Sequence, residues 1–148
     1  MENASLQILL ADDDEGDRFL FIEAVTGMEI NAIIHTVNDG VQLMKHLVKE
    51  DGPLPNLIFL DLNMPRKNGF ECLKEIRSHE KLKDIPIVIY STSASEKDID
   101  ETFNNGANIY IKKPNDFNLL EQLLYKAIRN IEQYQEEPAC KGTFLLKG

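Results

Sequence analysis

Five short runs rich in apolar and β-branched residues alternate with longer amphipathic stretches along the chain. The runs cover residues 7–11, 32–37, 57–60, 85–90 and 109–111. Near-continuous apolar runs of this length are typical of strands that are buried on both faces of a parallel sheet. Because helical stretches separate the runs, the pattern predicts an α/β fold of five parallel strands, with right-handed crossover helices on both faces.

The stretches between the runs carry apolar residues at helical spacing. Three predicted inward faces are Val41, Met44, Leu47 and Val48; Phe70, Leu73 and Ile76; and Ile99, Phe103 and Gly106. The strongest stripe belongs to the last helix, and it consists of Phe117, Leu120, Leu123, Leu124, Ala127, Ile128 and Ile131. Asp116 and Ser95 are the expected N-caps of the last two helices.

Acidic residues follow the first and third runs directly. For a small open α/β sheet we expect a doubly wound sheet with strand order 2-1-3-4-5, in which ligands bind at the switch point beside the first and third strands. Asp12 and Asp13 end the first run, and Asp61 ends the third. The predicted topology therefore brings together three carboxylates that the sequence separates by about fifty positions.

Carboxylates that share one edge of a sheet repel each other unless a cation lies among them. Mg²⁺ prefers oxygen ligands and keeps several waters, so two carboxylates, one backbone carbonyl and a substrate phosphate are a sufficient set. An aspartate can also act as a nucleophile that forms an acyl phosphate. Asp61 is the best placed residue for that role.

Phosphoryl transfer needs further charge neutralisation on the side away from the metal. Lys113 follows the fifth run and can supply a cation, while Ser91 follows the fourth run and can supply a hydroxyl. Of the Lys112–Lys113 doublet, strand alternation and the following Pro114 select Lys113. A cis bond between Lys113 and Pro114 would hold the ammonium over the pocket. Asp14 is the expected cap of the first helix.

Length and charge limit the classes of protein that fit. The 148 residues suit a single domain, which we place at residues 1–134, followed by a tail at 135–148 and no output domain. The net charge of −9 argues against binding to nucleic acid. The two cysteines form no metal or disulfide pattern, and no run is long enough for a membrane span, so we expect a cytoplasmic protein without membrane contact.

Four motifs in order resemble one known family. They lie at residues 8–14, 61–69, 86–92 and 106–114, and they read ILLADDD, DLNMPRKNG, PIVIYST and GANIYIKKP. This sequence resembles the receiver domains of two-component response regulators, and among them the stand-alone, phytochrome-associated and chemotaxis-like type. The resemblance covers residues 7–132 and implies a flavodoxin-like fold.

The resemblance also implies roles for single residues. Asp61 would be the phosphoacceptor, and Asp12, Asp13, Asp61 and the backbone carbonyl of Asn63 would hold Mg²⁺. Lys113 would contact the phosphoryl group. Ser91, where the family has Thr or Ser, would turn its hydroxyl toward that group in the active state, and Tyr110 would change its packing in concert.

Other functions fit the residues less well. A haloacid-dehalogenase-type phosphatase would need a second aspartate where Asn63 stands, and the chain has no room for a cap domain. A flavodoxin-type flavin carrier would have to receive a phosphate against the acidic loop at residues 12–15. A receiver-like interaction module that takes no phosphate would not need the complete set of site residues.

The expected function is therefore that of a signalling switch, not an enzyme, although it would catalyse its own phosphorylation and dephosphorylation. A sensor histidine kinase would be the donor. The chain would then act by protein contacts, with homodimerisation through the face of helix 4, strand 5 and helix 5 as one route. Alternatively, it would pass the phosphoryl group to a histidine phosphotransfer protein. The tail, with its apolar residues 144–146, is either a mobile terminus or a segment that docks on the domain or on a partner's edge strand.

Overall fold

All five apolar runs form strands of one parallel sheet. The computed structural model describes residues 5–49, 52–130, 133 and 141–147. The strands are β1 (Leu6–Ala11), β2 (Ala32–Val37), β3 (Leu57–Leu60), β4 (Ile87–Ser91) and β5 (Ile109–Lys112). Their order is β2-β1-β3-β4-β5, and every neighbouring pair is parallel. The predicted α/β architecture and strand order are confirmed.

Helices follow each strand, and a short turn of helix lies near the C-terminus. They are α1 (Glu15–Thr26), α2 (Gly40–Leu47), α3 (Gly69–Ser78), α4 (Glu96–Asn104), α5 (Phe117–Arg129) and α6 (Lys141–Phe144). Asp14, Ser95 and Asp116 cap α1, α4 and α5, each by accepting a hydrogen bond from a backbone N–H in the first turn. Among the helices of the described residues, none combines the length and apolarity that crossing a bilayer requires.

Alternate residues of the central strands face two separate apolar clusters. Leu9 and Ile58 pack with α2 and α3, whereas Leu10 and Phe59 pack with α1 and α5 on the opposite side. All four residues of β3 are fully buried. Because successive side chains of a strand point to opposite faces, a strand covered on both faces has to be apolar throughout.

The helical stripes agree only partly with the sequence pattern. Val48 was expected to face inward, but it follows the last residue of α2 and is 48% exposed, and Leu43 is buried instead. Phe117 lies in the first turn of α5 and is exposed, whereas Ile131 lies outside the described residues. The stripe of α1 was not named from the sequence, since exposed apolar residues such as Phe19 obscure it.

The C-terminal segment packs against the free edge of β5. Phe144 is 1% exposed, and its ring centroid lies 5.3 Å from that of Phe103 and 6.0 Å from that of Tyr110. Leu145 pairs with Tyr110 in a parallel bridge, and the N–H of Leu146 donates to the Tyr110 carbonyl at 2.9 Å. For residues 141–147 the mobile-terminus prediction is wrong, and docking on the domain itself is confirmed.

We predict that Phe144→Ala lowers the free energy of unfolding by about 3 kcal/mol, because the substitution removes a buried aromatic ring from a packed site. Lys147→Ala is the matched control: its side chain is exposed, and we expect a change within about 0.5 kcal/mol. Urea denaturation followed by circular dichroism measures both values. Equal stability of the wild type and Phe144→Ala would show that the segment adds nothing to the fold.

Candidate functional site

The predicted site residues meet at the C-terminal edge of the sheet. Strand register aligns Ala11 with Leu60, so that Asp12 and Asp61 emerge side by side, and the N–H of Asp61 donates to the Ala11 carbonyl at 3.0 Å. Carboxylate oxygens of Asp12, Asp13 and Asp61 all lie within 4.8 Å of one another. The structure thus brings together the three acidic residues that the sequence pattern had selected.

Two of these carboxylates are buried. Asp12 is 0% exposed and Asp61 is 5% exposed, whereas Asp13 lies at the surface. Burial raises the pKa of Asp61 to about 6, against the attraction of Lys113. The pKa of Asp12 is also raised, again mainly by burial. Water is excluded from these groups, so the site needs compensating positive charge.

Lys113 supplies part of that charge. Its Nζ lies 2.7 Å from Oδ2 of Asp12, 2.9 Å from Oδ2 of Asp17 and 3.6 Å from Oδ2 of Asp61. Burial alone would lower the pKa of this ammonium, but its hydrogen bonds to Asp12 and Asp17 raise the pKa above its ordinary value. Nζ also lies 5.1 Å from the centroid of the Tyr90 ring, a cation–π distance.

The backbone carries Lys113 to this position without the predicted cis bond. The described residues contain no cis peptide bond, so the expectation for Lys113–Pro114 is wrong. Instead, the N–H of Lys113 donates to the Ser91 carbonyl at 2.7 Å, which continues the pairing of β4 with β5 by one residue. Sheet pairing therefore determines where the lysine leaves the edge.

Close packing shapes the loop after Asp61. The N–H of Asn63 donates to Oδ1 of Asp61 at 3.4 Å, and the N–H of Gly69 donates to the Leu62 carbonyl at 3.0 Å. A Cβ at Gly69 would lie 2.3 Å from the Asp61 carbonyl oxygen, so only glycine fits there. The start of α3 thereby lies directly against the backbone of Asp61.

Ser91 and Tyr110 are linked through one loop. Ser91 is fully buried, and its Oγ accepts a hydrogen bond from the N–H of Ser93 at 3.2 Å. The Tyr110 hydroxyl donates to the Ser93 carbonyl at 2.6 Å. Tyr110 is 0% exposed, and burial raises its pKa to about 12. The two predicted switch residues therefore hold opposite sides of the same loop.

Sequence reasoning missed one residue of the site, Asp17. This residue lies in the first turn of α1, where acidic side chains commonly favour the helix N-terminus without any further role. Its contact with Lys113 joins residues 96 positions apart. No spacing rule in the sequence connects them, and only the tertiary structure brings them together.

The donor set fits a hard divalent cation. It offers oxygen atoms alone, two of the three carboxylates are buried, and one of these has its pKa raised toward neutrality. Such a cluster remains ionised at neutral pH far more readily with a divalent cation among its oxygens. Asp61 thus lies beside two further carboxylates and 3.6 Å from an ammonium, a setting in which a carboxylate can accept a transferred group.

Comparison with known proteins agrees with this site. The response regulator receiver domain family matches residues 8–125 of the chain. The response regulator Rcp1 of Synechocystis sp. (strain ATCC 27184 / PCC 6803 / Kazusa) is 36% identical over 131 residues, which cover 86% of this chain and 86% of Rcp1. The chain belongs to the receiver domain family of two-component response regulators.

Two solved structures are similar in fold and sequence. The phosphorylated cyanobacterial phytochrome response regulator RcpA superposes with a TM-score of 0.78 and 37% identity, covering 86% of this chain and 93% of RcpA. The Mn²⁺-bound form of Rcp1 superposes with a TM-score of 0.76 and 34% identity, covering 82% of this chain and 90% of that one. The predicted resemblance to single-domain, phytochrome-associated regulators is confirmed, and the acidic pocket is consistent with a divalent metal.

We predict that stability depends on pH through Asp61 when metal is removed with a chelator. A carboxyl whose pKa is about 6 when folded and near 3.8 when unfolded binds more protons in the folded state between those values, so stability falls as pH rises through this window. The Asp61→Asn variant has no carboxyl at this position, so it lacks this contribution to the pH dependence of stability. At pH 7.5 the variant should exceed the wild type by up to about 3 kcal/mol, and near pH 4 the two should agree. Urea denaturation between pH 4 and pH 7.5 measures the free energy of unfolding of both proteins. A difference in this free energy that does not change with pH would contradict the prediction.

Proposed function

We propose that this receiver domain is a phosphoacceptor switch that takes a phosphoryl group from the phosphohistidine of a sensor histidine kinase onto Asp61. The observation that carries the proposal is the position of that side chain. It is almost fully buried, it belongs to a cluster of three carboxylates, and its Oδ2 lies 3.6 Å from the Lys113 ammonium. A group transferred to this carboxylate would meet the positive charge of Lys113 and, with a divalent cation bound among the three carboxylates, a second positive charge.

The proposed transfer is a direct displacement at phosphorus. A carboxylate oxygen of Asp61 forms the new O–P bond while the P–N bond to the donor imidazole breaks. The bonding electrons stay on the imidazole nitrogen, which then takes a proton from solvent. Lys113 neutralises charge on the oxygens of the moving group, and the buried surroundings strengthen that interaction.

The proposed cofactor is Mg²⁺, held by Asp12, Asp13, Asp61 and the backbone carbonyl of Asn63. When bound, this ion offsets the repulsion between the carboxylates and the incoming phosphoryl oxygens. Support for the set comes from the oxygen-only donors and from the raised pKa of the two buried carboxylates. The donor loop is held in place because the Asp14 N–H donates to Oδ1 of Asp12 at 3.0 Å.

The proposed switch passes from Ser91 to Tyr110. A phosphoryl group on Asp61 offers new acceptors to the Ser91 hydroxyl, which at present accepts a hydrogen bond from the Ser93 N–H. Movement of that loop would alter the acceptor of the Tyr110 hydroxyl. Tyr110 in turn contacts Phe144, so the change reaches the outer surface at β5.

The face of α4, β5 and α5 is the proposed contact surface for a downstream target, a second copy or a histidine phosphotransfer protein. Residues 144–146 lie against this face and pair with Tyr110. A partner must therefore bind beside the segment or displace it. We assign residues 1–134 to the receiver domain and 135–148 to a tail whose docked part covers the edge of β5.

The similar proteins suggest which class of kinase to test first as the phosphoryl donor. RcpA is a phytochrome response regulator, so a phytochrome-type histidine kinase is the first donor to try. Self-catalysed phosphorylation from small donors and self-catalysed dephosphorylation are part of the proposal, because the charged groups of the pocket belong to the receiver itself. Nucleic acid is not a proposed partner, since the net charge of −9 repels phosphate backbones.

We predict that phosphoramidate with Mg²⁺ adds one phosphoryl group to the wild type, and that Asp61→Asn abolishes the addition because an amide is not a nucleophile for this step. Intact-mass spectrometry measures the product. Asp116→Asn is the matched control, since it removes a carboxylate but keeps a residue that can cap α5. Undiminished labelling of Asp61→Asn would refute the assignment of the phosphoacceptor.

We also predict that Asp13→Ala weakens Mg²⁺ binding by about tenfold, or about 1.4 kcal/mol, because it removes one carboxylate from the donor cluster. Isothermal titration calorimetry on unphosphorylated protein gives the affinity. Glu15→Gln serves as the control because this acidic residue is exposed nearby in α1 but is absent from the cluster. An unchanged affinity of Asp13→Ala would exclude Asp13 as a direct ligand.

A further inference from the structure

The ion pair between Lys113 and Asp17 has no part in the proposed phosphoryl transfer. Nζ of Lys113 lies 2.9 Å from Oδ2 of Asp17, which is shorter than its 3.6 Å distance to Asp61. We propose that Asp17 is a positioning residue that restrains the Lys113 ammonium in the resting state, and that an incoming phosphoryl group must displace it. This inference rests on the proposed function and adds a residue that regulates the same site.

Asp17 is anchored through a closed ring of contacts. The Asp14 N–H donates to Oδ1 of Asp12 at 3.0 Å, and the Asp17 N–H donates to Oδ1 of Asp14 at 2.9 Å. The Asp17 carboxylate then accepts from Lys113, which completes the ring through its 2.7 Å contact with Oδ2 of Asp12. The start of α1 and the end of β5 are thus tied to each other across the pocket.

Oδ2 of Asp12 and Oδ2 of Asp17 lie 2.7 Å and 2.9 Å from the Lys113 ammonium, whereas Oδ2 of Asp61 is 3.6 Å away. For the ammonium to move onto a phosphoryl group carried by Asp61, one of the two close partners has to give way. The Asp12 side chain is 0% exposed, so releasing it would leave a charge unpaired away from water.

The Asp17 side chain is 32% exposed. Its carboxylate can be hydrated as soon as it leaves the ammonium, which makes it the partner that exchanges at lowest free-energy cost. Asp17 also adds a partly exposed negative charge beside Lys113, at a site that must admit an anionic donor. Both effects act in the same direction, because each slows entry of the phosphoryl group.

A simpler role for Asp17 is that of an acidic residue favouring the first turn of α1, with no effect on the pocket. Glu15 occupies the same turn and carries the same charge, but it is exposed and none of the described ion pairs includes it. Substitution of Glu15 therefore matches the loss of charge and the helix position. It leaves the contact with Lys113 intact.

The test compares wild type, Asp17→Asn, Asp17→Glu and Glu15→Gln in the full chain. The second-order rate constant for labelling by phosphoramidate with Mg²⁺ is measured first. We expect Asp17→Asn to label about fivefold faster, which corresponds to about 1 kcal/mol. Glu15→Gln should stay within about twofold of the wild type, and Asp17→Glu should do the same because it restores a carboxylate for Lys113.

A second measurement needs no phosphoryl transfer. Binding of beryllium fluoride, a phosphoryl mimic, is titrated in the presence of Mg²⁺ and followed by fluorine NMR. Asp17→Asn should bind the mimic about fivefold more tightly than the wild type, and Glu15→Gln should not. Thermal denaturation of all four proteins gives a separate measure of folding.

Each outcome bears on one of the two proposals. Slower or unchanged labelling and mimic binding in Asp17→Asn would overturn the inference, as would an equal gain in Glu15→Gln, which would indicate a general charge effect. Failure of the wild type to label would instead refute the proposed function. In that case the mimic titration still decides whether Asp17 restrains Lys113.

Discussion

The ammonium of Lys113 compensates the carboxylates that the fold buries at one edge of its sheet. Asp12 and Asp61 are almost fully excluded from water, and burial raises the pKa of both. A carboxylate in such surroundings remains charged only when a cation lies close to it. Lys113 follows β5 at the C-terminal edge of the sheet, and it reaches Asp61 across β4 and Asp12 across β4 and β3. The remaining negative charge explains why the cluster suits a divalent cation.

The same parallel arrangement accounts for both the core and the site. Strands buried on both faces are apolar along their length, so polar groups appear only where the strands end. Because all five strands run in one direction, those ends lie at one edge. The carboxylates that follow β1 and β3 and the ammonium that follows β5 then meet over a short distance, and Ser91 ends β4 at the same edge.

The proposed path from Asp61 to the surface depends on few contacts. The backbone of Ser93 bonds to both Ser91 and Tyr110, through its N–H to the Ser91 hydroxyl and through its carbonyl to the Tyr110 hydroxyl. Ser93 also donates its hydroxyl to Asp98 at 2.7 Å, which ties the loop to α4. On the far side of Tyr110, the ring of Phe144 fills the space against Phe103. In the proposed switch, a rearrangement of this loop would therefore change the contacts of both α4 and the docked C-terminal segment.

The sequence alone predicted the five strands and their order, and it selected the three aspartates and the lysine that the structure brings together, because burial on two faces and a shared strand direction leave clear periodic and positional signals. Strand ends shifted slightly: β4 starts at Ile87, not at residue 85, since Pro86 has no N–H to donate to the ladder. The prediction of the buried residues of α2 was wrong for Val48, because this residue lies after the last turn of the helix.

Only the tertiary structure shows which ion pairs the charged side chains form. Asp17 lies 96 positions from Lys113, and nothing in its local sequence distinguishes it from Glu15. Likewise, the sequence shows Phe144 only as one apolar residue in a short tail. In the structure it packs against the ring of Tyr110 at the free edge of β5. The spacing of apolar residues indicates which face of each segment is buried. Contacts between side chains that are distant in sequence depend on distances that only the folded chain establishes.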